Sequence, residues 1–232
     1  MANFTSTQTA TQSLVSTLFK SVYMQMAAAL TVTGLTAYAV ANSPQLLYAL
    51  FSNSASIWIL LIAQFGLVIW LSSRVMKMSL TSATLLFILY SVLTGITFSS
   101  IFFVYTFESI ASTFFVTAGT FFTMSLVGYL TRMDLSKIGN ILYMLLIGLL
   151  IATVVNIFVA SSGLYWVITY AGVIIFTGLI AWDTQKLKTI FLEYGTADDS
   201  GHKLALLGAL TLYLDFINLF LFLLRILGGN RE

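Results

Sequence analysis

Seven apolar blocks of similar length, each parted from the next by a short polar break, leave this chain little choice of architecture. They run at about 22–41, 57–73, 80–105, 110–130, 138–160, 164–182 and 204–227. Each comes near the roughly 20 residues with which an α-helix crosses the hydrocarbon of a bilayer. The predicted fold class is therefore all-α, a bundle of seven transmembrane helices. Composition agrees: of 232 residues 59% are apolar and only 8% charged, against about 25% charged in soluble domains. A membrane β-barrel would instead show short alternating strands. The third and fourth blocks are separated only by TFES, and Glu108 marks the turn between them.

Residues 1–19 are rich in Ser, Thr and Gln and carry no charged side chain, which predicts a flexible or interfacial tail closed by Lys20. Residues 20–232 are then expected to form a single seven-helix membrane domain. The first block also resembles a signal peptide, with AYA at 37–39 and AVA at 39–41 as small-residue cleavage sites. An uncharged leader is a poor match to the basic region that such peptides carry, so a membrane span is the better assignment.

Orientation follows from Lys and Arg. With the N-terminus on the cytoplasmic side, Lys20, Arg74, Lys77, Arg132, Lys137, Lys186, Lys188 and Lys203 fall inside, and only Arg225 and Arg231 fall outside. That asymmetry predicts a cytoplasmic N-terminus and an external C-terminus. Most of these charges are explained as topology determinants alone. Ser91, Gly95 and Ser99 on the third helix, and Ala29, Thr33 and Ala37 on the first, form small-xxx-small stripes where neighbours approach closely. The inner loop at 183–203 begins with helical spacing at Leu187, Ile190, Phe191 and Tyr194 and breaks at GTADDSG, so the sixth helix is expected to extend beyond its apolar core.

The last block, LALLGALTLYLDFINLFLFLLRIL, holds one acid, Asp215. Gly208, Thr211, Asp215 and Asn218 share a helical stripe, while Leu, Phe and Ile cover the other faces. A charged Asp at a helix centre costs roughly 2.5–3.5 kcal/mol on insertion scales, so this stripe faces protein or water, not lipid. A second acid, Asp183, stands at the end of the sixth block in AWDTQKLK. Two carboxylates in hydrogen-bond reach cannot both ionise cheaply; they share a proton and titrate as one unit. Both ionised, they offer up to four oxygens to a passing Ca²⁺, and Asn218, Thr184 or backbone carbonyls add toward the six to eight that this ion prefers.

Counted from the outer ends of their helices, Asp183 lies roughly 27 Å down and Asp215 roughly 15 Å, at 1.5 Å per residue. Tilt or offset must close that gap if the acids meet. The bland alternatives are an interfacial Asp183 paired with Lys186 and an Asp215 hydrogen-bonded to a neighbouring Ser or Thr. Arg74, in SSRVMKMS, either latches Asp183 or merely snorkels to the interface.

Enzyme chemistry finds no support. The chain has no Cys and a single His, His202, in a polar stretch. It contains no G-x-S-x-G elbow, H-E-x-x-H pair or P-loop. No cofactor is expected, and no basic patch suits nucleic acid.

SSRVMKMSLTSATLLFILYSVLTGITFSSIF, AWDTQKLK and LYLDFINLFLFLLRILG together resemble the Bax inhibitor family, the transmembrane Bax inhibitor motif proteins, in its small bacterial form. The likeness runs from about Lys20 to Gly228. It implies two three-helix layers around a central C-terminal helix in a bacterial inner membrane. It also implies that Asp183 and Asp215 match a pH-sensing pair that gates a Ca²⁺ leak, with Ca²⁺ as the permeant ion, and that Arg74 is a basic partner able to latch the first acid. Trp182 stands where Tyr is common, which removes a hydroxyl from that network. Two other functions remain in view: a non-conducting regulator of a membrane-anchored protease, and a proton-coupled carrier.

Overall fold

The structure, a computed structural model, describes residues 2–229; the side chains of 2–10, Phe51 and Ser54 are outside that description. Its regular elements are α1 (Ala2–Ala41), α2 (Pro44–Phe51), α3 (Ser54–Arg74) with a 3₁₀ turn at Val75–Lys77, α4 (Leu80–Phe98) and α5 (Ile101–Val104). They continue as α6 (Phe107–Leu130), α7 (Ser136–Val159), α8 (Ser162–Tyr194) and α9 (Asp199–Leu227). Seven segments are long and apolar enough to cross a membrane: Thr11–Ala41, Ala55–Lys77, Leu80–Val104, Phe107–Leu130, Ser136–Val159, Ser162–Tyr194 and Asp199–Leu227. The chain is an all-helical, multi-pass integral membrane protein.

Local chemistry sets the helix starts. Asn53, Ser79 and Thr106 accept from Ala55 N, Ser82 N and Ser109 N as N-caps of α3, α4 and α6. Pro44 opens α2, where a missing N–H costs nothing. At the end of α7, Ala160 takes a left-handed conformation with φ 51°, and the Asn156 side chain accepts from Ser161 N.

Three features differ from the sequence expectation. The helix of α1 starts at Ala2, and Val15, Leu18 and Phe19 are buried, so the segment expected to be a tail packs over its last part. The side chains of 2–10 lie outside the described residues. The stretch 42–56, expected as a loop, contains α2. The block at 80–105 is broken at Ser99 and Ser100, whose hydroxyls donate to Ile96 O and Thr97 O in competition with the helical ladder. As expected, α8 runs past its apolar core to Tyr194 before the break at GTADDSG.

By contacts the chain divides into two compact units. Among the described residues, one comprises 2–105 with Ile190–Tyr213; the other comprises Thr106–Thr189 with 214–229. In the first, the two small-residue stripes meet. Gly95 of α4 lies against Thr33 O of α1, closer than a Cβ would allow. The Thr33 hydroxyl is 3.0 Å from Ser91 O and 2.7 Å from the Tyr213 hydroxyl, with Phe87 and Tyr90 edge-on to the Tyr213 ring. In the second, Phe216 and Phe220 of α9 pack on Phe114 of α6, and Phe176 of α8 stacks on Phe222. Of the seven spans α9 is the most buried, contributing Leu206, Leu210 and Tyr213 to one core and Phe216, Leu219 and Leu224 to the other.

Candidate functional site

Within the second unit, the part of α8 before Ile190 packs against the part of α9 after Tyr213. Arg225 sits over the Tyr165 ring, and Gly172 and Phe176 pack against Phe222. The same pairing brings the carboxyl of Asp183 into hydrogen-bonding reach of the carboxyl of Asp215. The unequal depths counted along the two helices are thus absorbed in their packing. Both acids are interior, Asp183 at 8% and Asp215 at 5% exposure. No donor of the protein reaches Asp215 Oδ2 among the described residues. A buried polar atom left open in this way is costly unless a proton, water or cation meets it.

Thr184 is fully buried next to Asp183, but its hydroxyl faces α6, 2.9 Å from Ser125 Oγ, and donates to Ile180 O. Asn218 donates to Leu214 O of its own helix, one turn beyond Asp215. Thr211 belongs to the first unit and donates to Leu207 O. Arg74 is exposed in the last turn of α3, also in the first unit. The Lys186 ammonium lies over the Trp182 ring, 5.0 Å from the centroid, near enough for its charge to act on Asp183. His202, expected in a polar loop, is half-buried in the first turn of α9.

Among the described residues no third His, Cys, Asp or Glu joins the two acids. Thr184 Oγ1 is engaged with Ser125 and with Ile180 O, and Asn218 Nδ2 with Leu214 O, which leaves Asn218 Oδ1 as a side-chain acceptor besides the carboxyl oxygens. Two facing carboxyls can hold a proton between them or offer oxygens to a cation.

Sequence reasoning missed three residues around Asp183. Ser125 meets Thr184; Gln185 reaches the α6–α7 turn; and Lys188, read only as a topology determinant, donates to Tyr129 O at 2.7 Å and covers the Tyr129 ring at 4.8 Å. All are long-range contacts without a local sequence signature. The helical spacing of Thr184, Gln185 and Lys188 away from Asp183 was the one available sign that they face other helices.

Residues 15–232 match the family described as "Inhibitor of apoptosis-promoting Bax1", Bax1-I. The chain is 53% identical over 216 residues to the inner membrane protein YbhL of Escherichia coli strain K12, covering 93% of this chain and 92% of that one. It is 46% identical over 211 residues to an uncharacterised protein of Borreliella burgdorferi, covering 91% of each. It is 42% identical over 211 residues to the uncharacterised protein RP147 of Rickettsia prowazekii, covering 91% of this chain and 89% of that one.

Proposed function

The chain belongs to the Bax inhibitor family, and from that premise we propose that it is a pH-sensitive calcium leak channel of the bacterial inner membrane, gated by a proton shared between Asp183 and Asp215. Two buried carboxyls that meet from different membrane-crossing helices carry the proposal. In a site with so little solvent, two carboxylates in contact cannot both ionise cheaply, so one proton bridges them. The pair gains and loses that proton as a unit. Its loss sets like charges against each other where α8 and α9 pack, and this helix pair is the two-state element that protonation biases.

Calcium enters as cargo. Both acids ionised offer four oxygens, and water or backbone carbonyls complete the shell of an ion in transit. With eight of the ten basic residues on one side, the N-terminus is assigned to the cytoplasm. The role of Arg74 as a latch belongs to the same proposal: Arg74→Gln alters the pH dependence of the leak if it is a counter-charge and leaves it unaltered if it only snorkels. The test is calcium entry into indicator-loaded proteoliposomes across external pH. A pH-dependent leak supports the proposal. No leak at any pH, with folded protein, overturns it in favour of a non-conducting regulatory role.

A further inference from the structure

Around α8 at the level of Asp183, every side chain has its own direction. At about 100° per residue, Thr184 and Lys188 point about 100–140° from Asp183, Gln185 about 200°, and Trp182 and Lys186 about 260–300°. Their partners follow that order. Asp183 meets α9; Thr184 and Lys188 meet Ser125 and Tyr129 O of α6; Trp182 lies on Gly139 of α7.

Gln185, nearly opposite Asp183, grips the turn between α6 and α7 at two points. Its Oε1 accepts from Leu135 N at 2.8 Å, and its Nε2 donates to Met133 O at 2.7 Å. The turn satisfies its other backbone groups locally: Thr131 Oγ1 accepts from Met133 N, Asp134 Oδ1 from Ser136 N, and Leu135 O from Gly139 N. Gln185 takes one further donor and one further acceptor of the same turn. An amide carries both functions on one planar group, which no carboxylate, hydroxyl or amine supplies in that form.

We propose that Gln185 is a positioning residue for Asp183: by holding the α6–α7 turn to the far side of α8, it fixes the rotation of α8 at which Asp183 faces Asp215. Thr184 and Lys188 hold α8 to α6 and Trp182 holds it to α7; Gln185 adds the restraint opposite Asp183 and resists the roll that those lateral contacts leave. This goes beyond the assignment of a calcium leak and does not depend on it.

The test is hydrogen exchange at the Leu135 amide, resolved residue by residue in the full chain in detergent or nanodiscs. Three variants are compared with the parent: Gln185→Leu, which removes both bonds; Gln185→Asn, one methylene too short to span both points; and Gln185→Glu, which keeps an acceptor for Leu135 N in either charge state. Exchange at Leu135 rises on the order of tenfold in Gln185→Leu and Gln185→Asn, the factor that one hydrogen bond of ordinary net strength confers. In Gln185→Glu it stays within about twofold of the parent because the bond to Leu135 survives. The carboxyl-stretch bands of Asp183 and Asp215, identified in the infrared spectrum by their loss in Asp183→Asn and Asp215→Asn, shift in Gln185→Leu and Gln185→Asn and hold their place in Gln185→Glu; bands that keep the parent's position in Gln185→Leu overturn the positioning of Asp183. Unchanged exchange at Leu135 in Gln185→Leu overturns the proposal. So does a Gln185→Glu variant that exchanges as fast as Gln185→Leu, because exchange then does not follow the bond to Leu135. If Gln185→Leu does not fold, Gln185→Asn against Gln185→Glu carries the same comparison. None of these readouts uses calcium, so a failure here leaves the leak untouched, and a protein that conducts no calcium leaves the grip untouched.

Discussion

The indole of Trp182 rests directly on the backbone of Gly139, so closely that a Cβ on Gly139 would stand inside the ring. The contact joins α7 to α8 one residue before Asp183, and the Lys186 ammonium covers the ring from above. Gly139→Ala therefore forces the indole aside and destabilises the protein by about 1–3 kcal/mol, as overpacking does. Trp182→Leu in the same chain relieves the clash, so the two changes together cost less than their sum. Thermal unfolding in detergent of the two single variants and the double variant measures this coupling.

Glycines in this chain sort by what faces them. At Gly95 an added Cβ meets Thr33 O and the Thr36 side chain, and the backbone atom cannot give way. At Gly34 the space is open. Gly95→Ala is expected to cost about 1–3 kcal/mol by prying α4 from α1. Gly34→Ala gains about 0.5–1 kcal/mol through helix propensity. Paired melting curves check the difference in sign.

The break between α8 and α9 is closed by Asp198. Its Oδ1 accepts from Thr196 Oγ1, Ser200 N and Gly201 N, capping α9. The Thr196 hydroxyl first, and the Gly201 amide after it, hold this carboxyl below its ordinary range. A carboxyl depressed in the folded state contributes stability that is fully present above the unfolded value, about 3.9, and is lost as pH falls through the lower folded value. Asp198→Ala therefore lowers the melting temperature at neutral pH, and the gap between variant and parent narrows only below the ordinary carboxylate range. A gap that is the same at pH 7 and pH 3 contradicts this.

The helices were legible because each had to satisfy its backbone within a bilayer-long apolar run. Asp215 stood out because a lone acid in such a run has few explanations. The close approach of α1 and α4 was legible at Ala29, Thr33, Ser91 and Gly95 because small residues at helical spacing have one common use. Less was visible where the partner is distant in sequence. Nothing local says that Gln185 serves Met133 and Leu135, 52 and 50 residues away. The α1 segment before Lys20 reads as polar, yet Val15, Leu18 and Phe19 are buried and Phe19 stands edge-on to Phe191, which only tertiary packing supplies. Deleting residues 1–19 to probe partner binding would uncover that ring. Pro44 was a start signal for α2 that the sequence reading passed over. The meeting of Asp183 with Asp215 depended on how α8 and α9 pack, which no count along either helix contains.

If Asp183 and Asp215 are one proton-sharing switch, they must fail as one. Calcium entry into indicator-loaded proteoliposomes is compared across external pH for the parent, Asp183→Asn, Asp215→Asn and the double variant. An amide in either position can neither share nor release the proton, so each single variant flattens the pH dependence of the leak, and the double variant flattens it no further. Single variants that keep the parent's pH profile, or whose effects add in the double variant, contradict a shared-proton gate.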